Sequence, residues 1–117
     1  LKNCLKNKKF FTTKGEQMCD FCYIDDVVNV IFKSIKNKKT NGQIFNIGSG
    51  KPITIKKIIN LVLKKIRKGR PIFGGLNYKK GTNKNNFPNI AKVKKELKWI
   101  PKIDINSGIL KTIESLK

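Results

Sequence analysis

The segment from Gln43 to Ile55, QIFNIGSGKPITI, contains the elements that decide the fold. Its first five residues form a short apolar-flanked run, which predicts a strand over Gln43–Ile47. The Gly48–Gly50 run predicts a tight turn, because glycine tolerates the backbone conformations that such a turn requires. Thr54 is a preferred helix N-cap, since its hydroxyl can accept from a free amide of the first turn. A strand followed by a turn and a helix is typical of an α/β protein.

Apolar spacing predicts two strands and a helix on the N-terminal side of this segment. The strands cover Phe10–Thr13 and Asp20–Ile24, where aromatic and β-branched residues cluster. The helix runs from Val27 to about Lys36, and the adjacent carboxylates of Asp25 and Asp26 are its predicted N-cap. One side of this helix is apolar and consists of Val27, Val28, Ile31, Phe32 and Ile35.

On the C-terminal side, the pattern predicts three helices, a short strand and a polar loop. The longest helix runs from Ile55 to about Lys68 and has a continuous apolar stripe. A strand follows at Pro71–Phe73, and a polar loop then covers Tyr78–Asn86. Asn89 and Asp104 are predicted to cap the two remaining helices.

The alternation of strands and helices predicts an α/β fold, yet only Gln43–Ile47 has the composition of a central strand. One strand cannot form a sheet by itself. The chain also begins at Leu1 rather than at a methionine, and its one methionine is Met18. We therefore expect residues 1–117 to be a fragment that lacks most of the parallel sheet.

The formal net charge is +20, from 27 Lys and Arg against 7 Asp and Glu. Such an excess fits an anionic partner such as nucleic acid or phosphate. The basic residues are scattered, however, and the abundance of lysine, asparagine and isoleucine is typical of A/T-rich coding sequence. We therefore expect solvated lysines rather than a nucleic-acid-binding surface. A membrane partner is not expected either, because no apolar run approaches the length of a membrane span.

The chain has no histidine, and its three cysteines are Cys4, Cys19 and Cys22. Three thiols without histidine cannot complete a four-ligand zinc site within one chain. In a strand, Cys19 and Cys22 would point to opposite faces, which makes a disulfide between them poor. The odd number of cysteines and the absence of a recognisable secretion signal favour a reducing, cytoplasmic location.

No catalytic, cofactor-binding or metal-binding residue is predicted in this chain. Without histidine, neither a Ser-His nor a Cys-His pair can form. The run Gly48–Lys51 lacks the earlier glycine and the following Ser or Thr of a phosphate-binding loop. Ile53 stands where a dinucleotide-binding motif would need its third glycine.

Four segments together carry a family resemblance. They are EQMCDFCYIDDVV at residues 16–28, IFNIGSGKPITI at 44–55, NIAKVKKELKWIP at 89–101 and GILKTI at 108–113. In this order they resemble the Q-x-R-D-F-x-Y-V-D-D-V, F-N-I-G-S-G-x-P-x-S-I, D-x-S-K-A-x-x-x-L-G-W-x-P and G-L-x-x-T-I segments of one family. This family is the extended short-chain dehydrogenase/reductases, specifically the NAD-dependent epimerases and dehydratases that modify sugar nucleotides.

The resemblance implies an extended Rossmann-type fold, with residues 1–117 as its C-terminal substrate-binding region. It implies NAD or NADP as cofactor, bound mainly by an N-terminal part that would also hold the family's Tyr-x-x-x-Lys catalytic pair. The implied partner is a nucleoside-diphosphate sugar, and relatives often form homodimers. By this resemblance the intact protein is an epimerase or dehydratase, and we expect the chain alone to be inactive.

The substrate-binding positions implied by the resemblance are Phe11, Cys19, Phe21, Pro52, Lys79 and Thr82. Cys19 stands where the family has an arginine that reaches the diphosphate, and Phe21 where it has an aromatic residue near the nucleoside. Lys79 replaces a second phosphate-binding arginine, and Thr82 replaces the nearby acid. The other two positions fall near those that line the nucleoside pocket.

These departures from the family pattern leave other interpretations open. Lys79 keeps the charge of arginine without its bidentate fork, and Cys19 keeps neither. A non-catalytic relative whose substrate site has decayed through Cys19 and Thr82 is one alternative, and a basic nucleic-acid-binding domain is another. Ordinary strand packing also explains Cys19 and Phe21, and a solvated loop explains Lys79.

Overall fold

The computed structural model describes residues 1–116 and has the expected α/β architecture. The helices of the described chain are α1 Lys2–Leu5, α2 Ile24–Ile35, α3 Ile55–Ile66, α4 Ala91–Leu97 and α5 Ile105–Glu114. Its strands are β1 Lys9–Thr12, β2 Met18–Cys19, β3 Ile53–Thr54, β4 Arg70–Phe73 and β5 Asn85–Asn86. A single 3₁₀ turn over Lys38–Thr40 follows α2.

The chain divides into two compact units. The first unit contains Leu1–Cys19, Ile53–Asn86 and the described residues from Ile109 onward. The second unit contains Asp20–Pro52 and Phe87–Gly108. Each unit is thus assembled from segments that are distant in sequence.

The paired strands belong to the first unit. β1 and β4 lie parallel, with Phe11 opposite Ile72, so the predicted strands at Phe10–Thr13 and Pro71–Phe73 are confirmed within a residue. β2 is the middle strand of a second, three-stranded sheet. It pairs antiparallel with β3 and parallel with β5. The parallel sheet is short, as the sequence analysis predicts.

Helix α3 follows its predicted course at the start and ends slightly early. The Thr54 hydroxyl accepts a hydrogen bond from the Lys57 amide at 3.1 Å, which confirms the N-cap. The helix ends at Ile66 because Arg67 takes a left-handed conformation with φ of 55°. The Arg67 amide then donates to the Leu63 carbonyl at 2.7 Å and closes the last turn.

The second unit has a clustered apolar core. Its buried members are Val30, Ile90, Val93, Leu97 and Trp99, and the partly buried Cys22, Phe45 and Ile47 pack against them. The short helix α4 contributes two of these residues to the core. Ile90 rather than the predicted Asn89 occupies its N-cap position, although the Asn89 side chain accepts a hydrogen bond from the Ala91 amide at 2.9 Å. Asp104 likewise accepts from the Asn106 amide at 2.8 Å at the start of α5.

The predicted strand at Asp20–Ile24 is wrong. The strand is only two residues long, Met18–Cys19, and α2 already begins at Ile24. Asp20 leaves the sheet because its carboxylate accepts hydrogen bonds from the amides of Ser49 and Gly50. A side chain committed to a distant loop therefore overrides the β-propensity of the residues that follow it.

The predicted N-cap of α2 is also wrong. Tyr23 occupies the N-cap position, and Asp25 and Asp26 lie inside the first turn. Asp26 is buried and accepts hydrogen bonds from the amides of Lys102 and Ile103, at 3.0 and 2.9 Å. Both carboxylates keep the favourable location near the positive end of the helix, but Asp26 connects α2 to the segment before α5.

In the second unit, the apolar side of α2 and the Gln43–Ile47 segment do not adopt the structure that their sequence patterns predict. An apolar helix side normally faces the core, but Val28, Ile31, Phe32 and Ile35 are 42% to 74% exposed. Val30, on the opposite side of α2, is the buried apolar residue of this helix. The predicted strand at Gln43–Ile47 is not formed, because no other described segment forms a ladder with it.

Candidate substrate site

The pairing of β2 with β5 brings two of the predicted site segments together in the first unit. Met18 lies opposite Asn85 and Cys19 opposite Asn86 in the parallel register. The Met18 amide also donates to the Lys84 carbonyl at 2.7 Å. β5 ends the polar loop predicted at Tyr78–Asn86, so Cys19 is joined by backbone pairing to the end of that loop.

Within this loop, Lys79 and Thr82 form a turn. The Thr82 amide donates to the Lys79 carbonyl at 3.0 Å, and the Thr82 hydroxyl donates to the same oxygen at 2.6 Å. Gly81 has a φ of +79°, which glycine adopts without strain. The Thr82 hydroxyl proton is therefore used by the turn, while the Lys79 side chain is exposed and free to meet an anion.

Three residues of the first unit, Glu16, Tyr78 and Lys84, contact one another at the base of the Tyr78–Asn86 loop. The Tyr78 hydroxyl accepts a hydrogen bond from the Glu16 amide at 3.0 Å. Lys84 Nζ lies 3.4 Å from a Glu16 carboxylate oxygen and 5.2 Å from the centroid of the Tyr78 ring. This cluster could not be predicted from the sequence, because more than 60 residues separate Glu16 from its partners.

The two apolar positions with the least secure family match lie in different units. Phe11 is 57% exposed on β1, and its ring packs close to Gly75, where an added Cβ would lie 2.5 Å from ring carbon Cδ1. Pro52 belongs to the second unit. It lines a shallow groove of about 470 Å³ whose other walls are Gly50, Phe87, Pro88, Asn89, Ile90, Ala91 and Lys94.

The structure thus divides the six predicted positions between the units. Phe11, Cys19, Lys79 and Thr82 lie in the first unit. Phe21 and Pro52 lie in the second, where the Phe21 side chain is half-buried. Backbone pairing and a turn connect the three polar positions of the first unit, which are the ones that the resemblance relates to the diphosphate.

The glycine turn of the second unit is held by Asp20. Its two carboxylate oxygens accept from the Ser49 and Gly50 amides at 2.7 and 2.8 Å. A Cβ on Gly48 would lie 2.6 Å from the Pro88 ring and 2.7 Å from the same carboxylate, so only glycine fits. The predicted tight turn is confirmed, whereas the role of Asp20 in holding it could not be predicted from the sequence.

This turn does not fit the pyrophosphate of NAD. Such a group needs free backbone amides, and the amides of Ser49 and Gly50 already bind a carboxylate. The negative charge of Asp20 would also repel a phosphate at this position.

The three cysteines are free thiols with different surroundings. Burial raises the pKa of Cys22 above its ordinary value, and the nearby carboxylates of Asp26 and Asp20 raise it further. Cys22 is therefore a poor nucleophile at neutral pH. Among residues 1–116, no group of three or more His, Cys, Asp or Glu is placed to hold a metal ion.

The comparisons with known proteins identify the class of protein. The family model for the NAD dependent epimerase/dehydratase family matches residues 1–48. The chain is 37% identical over 101 residues to UDP-glucuronate 4-epimerase of Thermodesulfobacterium geofontis, which covers 85% of this chain and 30% of that protein. It is 35% identical over 103 residues to dTDP-4-dehydro-6-deoxyglucose reductase of Escherichia coli, with 87% and 32% covered.

A solved structure supports the same assignment. UDP-glucuronic acid 4-epimerase from Bacillus cereus, in complex with UDP-glucuronic acid and NAD, superposes with a TM-score of 0.82 and 27% identity. The match covers 97% of this chain and 37% of that one. The chain is therefore a member of the NAD-dependent epimerase/dehydratase family, related to Rossmann-type short-chain dehydrogenase/reductase epimerases. It spans about a third of the length of the relatives that it matches. No helix among the described residues is long and apolar enough to cross a membrane.

Proposed function

We propose that this chain is the C-terminal, substrate-binding region of an NAD(P)-dependent enzyme that epimerises or dehydrates a nucleoside-diphosphate sugar. The observation that supports this proposal most is the β2–β5 pairing, which joins Cys19 to the end of the loop that contains Lys79. The family resemblance relates both positions to the diphosphate of the substrate. NAD or NADP would bind mainly to a part of the enzyme outside residues 1–117.

The charges of the loop suit this role. Lys79 and Lys80 are exposed, and neither has a carboxylate within salt-bridge distance in the described chain. Lys84 is the one loop lysine whose charge is partly balanced, by Glu16. A diphosphate brought to the loop would gain charge-assisted hydrogen bonds from the lysine ammonium groups.

The chain would contribute to the reaction by positioning. Fixing the diphosphate orients the attached sugar toward the nicotinamide, and such orientation lowers the barrier of the reaction. The cofactor supplies the hydride chemistry when it is bound. The residues of this chain bind and orient, and the proton and hydride transfers belong to groups elsewhere in the enzyme.

Titration of UDP-glucuronic acid into the chain by isothermal calorimetry tests this proposal. We expect Lys79→Ala to weaken binding roughly tenfold, the effect of one charge-assisted hydrogen bond. Cys19→Arg should strengthen binding by a similar factor, because it restores a bidentate donor. Lys57→Ala, which removes the same charge from the exposed side of α3, is the matched control.

The same titration separates the alternatives. Equal effects of Lys79→Ala and Lys57→Ala would mean that only overall charge matters, which would contradict a specific diphosphate site. Binding by Cys19→Arg alone, without binding by the natural chain, would favour a relative whose substrate site has decayed. Both results are measurable with the same ligand and buffer.

A second candidate function is the binding of a polyanion such as nucleic acid. One observation favours it: the described part of the first unit has 16 Lys and Arg against 2 Asp and Glu. A groove of about 360 Å³ on α3 of this unit is lined by Thr54, Lys56, Lys57, Asn60, Leu61 and Lys64. Retention on heparin and binding to DNA at several salt concentrations test this function.

A further inference from the structure

The polar loop of the first unit is anchored at its start by Tyr78. Among residues 74–87, Tyr78 is the one residue that is partly buried, and the others are exposed. Its hydroxyl accepts a hydrogen bond from the Glu16 amide at 3.0 Å. The next residue is Lys79, whose carbonyl accepts both hydrogen bonds of the Thr82 turn. The anchor at Tyr78 and the turn that begins at Lys79 are therefore consecutive in the chain.

The other end of this loop is anchored to the same residue, Glu16. Lys84 Nζ lies 3.4 Å from a Glu16 carboxylate oxygen, and the Lys84 carbonyl accepts from the Met18 amide at 2.7 Å. The Lys84 ammonium also lies 5.2 Å from the Tyr78 ring centroid, within reach of a cation–π contact. Glu16 thus binds the start of the loop through its amide and the end through its carboxylate. The segment between the two anchors, residues 79–83, contains the exposed phosphate candidate Lys79.

Glu16 is itself held by the start of helix α3. The Gly15 carbonyl accepts from the Lys56 amide at 2.8 Å, and the Gln17 carbonyl accepts from the Ile55 amide at 3.0 Å. Gly15 has a φ of +75°, and a Cβ there would lie 2.8 Å from the Lys56 amide nitrogen, so only glycine fits this close approach. Because α3 is a regular helix of 12 residues, the two anchors of the loop rest on a rigid element.

Glu16, Tyr78 and Lys84 together form what we call the loop clamp. We infer that the loop clamp positions Lys79 for the diphosphate of the substrate, so that its members are positioning residues. This inference rests on the proposed function. A loop that is ordered before the ligand arrives loses less conformational freedom on binding, and binding is tighter for that reason. The Thr82 turn fixes the Lys79 backbone, and the loop clamp fixes the point at which this turn leaves the folded unit.

The charges around the loop favour positioning over direct binding by the clamp. Glu16 is one of 2 acidic residues in the described part of the first unit, against 16 basic ones. A carboxylate beside the loop would repel a phosphate rather than bind it. The Glu16 carboxylate instead pairs with Lys84 and leaves the ammonium of Lys79 without an acidic partner in the described chain. The contacts of Glu16 with both ends of the loop therefore account for an acidic residue in this basic unit.

A double-mutant cycle in the full 117-residue chain, with UDP-glucuronic acid as the probe, tests this role by calorimetry. Tyr78→Phe removes the hydroxyl that accepts from Glu16 and keeps the ring, so it should weaken binding roughly three- to tenfold. In a Lys79→Ala background the same change should alter binding by less than about twofold, because the loop clamp acts through Lys79. Tyr23→Phe, which removes a tyrosine hydroxyl from the second unit, is the matched control and should leave binding unchanged.

Hydrogen exchange measures the loop clamp without any ligand. The Thr82 amide, which donates to the Lys79 carbonyl, should exchange roughly three- to tenfold faster in Tyr78→Phe than in the natural chain. The amides at the start of α3 should keep their rates, which would show that the fold is intact. Glu16→Gln keeps the amide that binds Tyr78 and loses only an exposed ion pair, so it should accelerate exchange at Thr82 less.

Three results would overturn the inference. They are unchanged exchange at Thr82 in Tyr78→Phe, equal weakening of binding by Tyr78→Phe with and without Lys79, and equal weakening by Tyr78→Phe and Tyr23→Phe. A loss of binding in Lys79→Ala that Tyr78→Phe does not share would contradict the loop clamp and leave the proposed function intact. Equal effects of Lys79→Ala and Lys57→Ala would contradict the proposed function, and positioning of Lys79 for a diphosphate would fall with it.

Discussion

The two units of this chain differ in what they offer to a partner. In the described residues, the first unit has 16 basic residues against 2 acidic ones, and the second has 10 against 5. Among the described residues, the second unit exposes eight large apolar side chains, five of them on α2 and the others at Ile44, Phe87 and Ile100, against five in the first unit. The basic unit is therefore suited to a phosphate-containing ligand, and the less charged unit to a protein surface.

The interiors of the two units differ as well. The second unit has one buried cluster centred on Trp99, Val93 and Leu97. The buried apolar residues of the first unit are Cys4, Val62, Ile109 and Ile113, which come from three helices. The exposed apolar residues of the second unit are thus not a sign of a poor core. They lie on the surface of a unit whose core is already formed by other residues.

The largest expected effect is a loss of stability when a core residue is shortened, and it should be greater in the second unit than in the first. Trp99→Ala should lower the free energy of unfolding by about 3–5 kcal/mol, because it leaves a large cavity in the cluster. Val62→Ala in the first unit should cost roughly 2 kcal/mol, since it removes two methyl-sized groups. Urea unfolding followed by far-UV circular dichroism measures both losses. Tryptophan fluorescence cannot be used for this comparison, because Trp99 is the one tryptophan and the Trp99→Ala variant lacks it.

Trp99→Phe is the control for the size of the cavity. The indole N–H of Trp99 is buried without a hydrogen-bond partner in the described structure, so its removal breaks no hydrogen bond. We therefore expect a clearly smaller loss than for Trp99→Ala. Equal losses for the two tryptophan variants would mean that ring packing in this cluster contributes little, and the contrast between the interiors would fail.

A smaller effect tests the contrast in charge. The triple variant Lys56→Ala, Lys57→Ala, Lys64→Ala should elute from heparin at lower salt than the natural chain. Each lost phosphate contact should lower the salt-dependence slope of DNA binding by roughly 0.9. The control is the triple variant Lys36→Ala, Lys38→Ala, Lys39→Ala in the second unit, which removes the same charge. Identical shifts in the two variants would show that net charge alone determines binding.

The smallest effect concerns the thiol of Cys22. Its pKa is raised by burial and by two carboxylates, so the thiolate fraction at pH 8 is below that of a free cysteine. Alkylation by iodoacetamide, followed by mass spectrometry, should therefore be slower at Cys22 than at a small reference thiol. The rate should increase as the pH rises through the raised pKa. A rate equal to that of the reference at every pH would contradict the prediction.

The stability consequence of this thiol has a defined sign. Because the folded pKa is raised, the contribution of Cys22 is fully present below the pKa of the unfolded thiol, about 8.5. It is lost as the pH rises from that value through the folded pKa. Cys22→Ala should remove this part of the alkaline pH dependence.

Much of the local structure was predictable from sequence because it depends on neighbouring residues. The side chains of Thr54, Asn89 and Asp104 accept hydrogen bonds from amides only two or three residues away, so residue type and position were sufficient to predict the caps at Thr54 and Asp104. The glycine turn and the strands β1 and β4 were predicted for the same reason. Glycine permits the turn, and apolar residues beside turn residues favour strands.

The candidate site was predictable only in part. The family resemblance drew attention to Cys19, Lys79 and Thr82, but it does not establish their roles in this chain. The pairing of Cys19 with Asn86 could not be seen, because 67 residues separate them. The contacts of Tyr78 and Lys84 with Glu16 were missed for the same physical reason.

The α/β class, the family resemblance and the starts of α3 and α5 could be read from the sequence, since these depend on composition, motifs and contacts within a turn. Tertiary structure alone decided the roles of Asp20 and Asp26, whose hydrogen bonds reach amides 29 to 77 residues away. It also decided which side of α2 is buried and left Ile44–Ile47 unpaired. An apolar pattern predicts that a surface will seek a partner, but only the packed chain determines whether that partner lies within it.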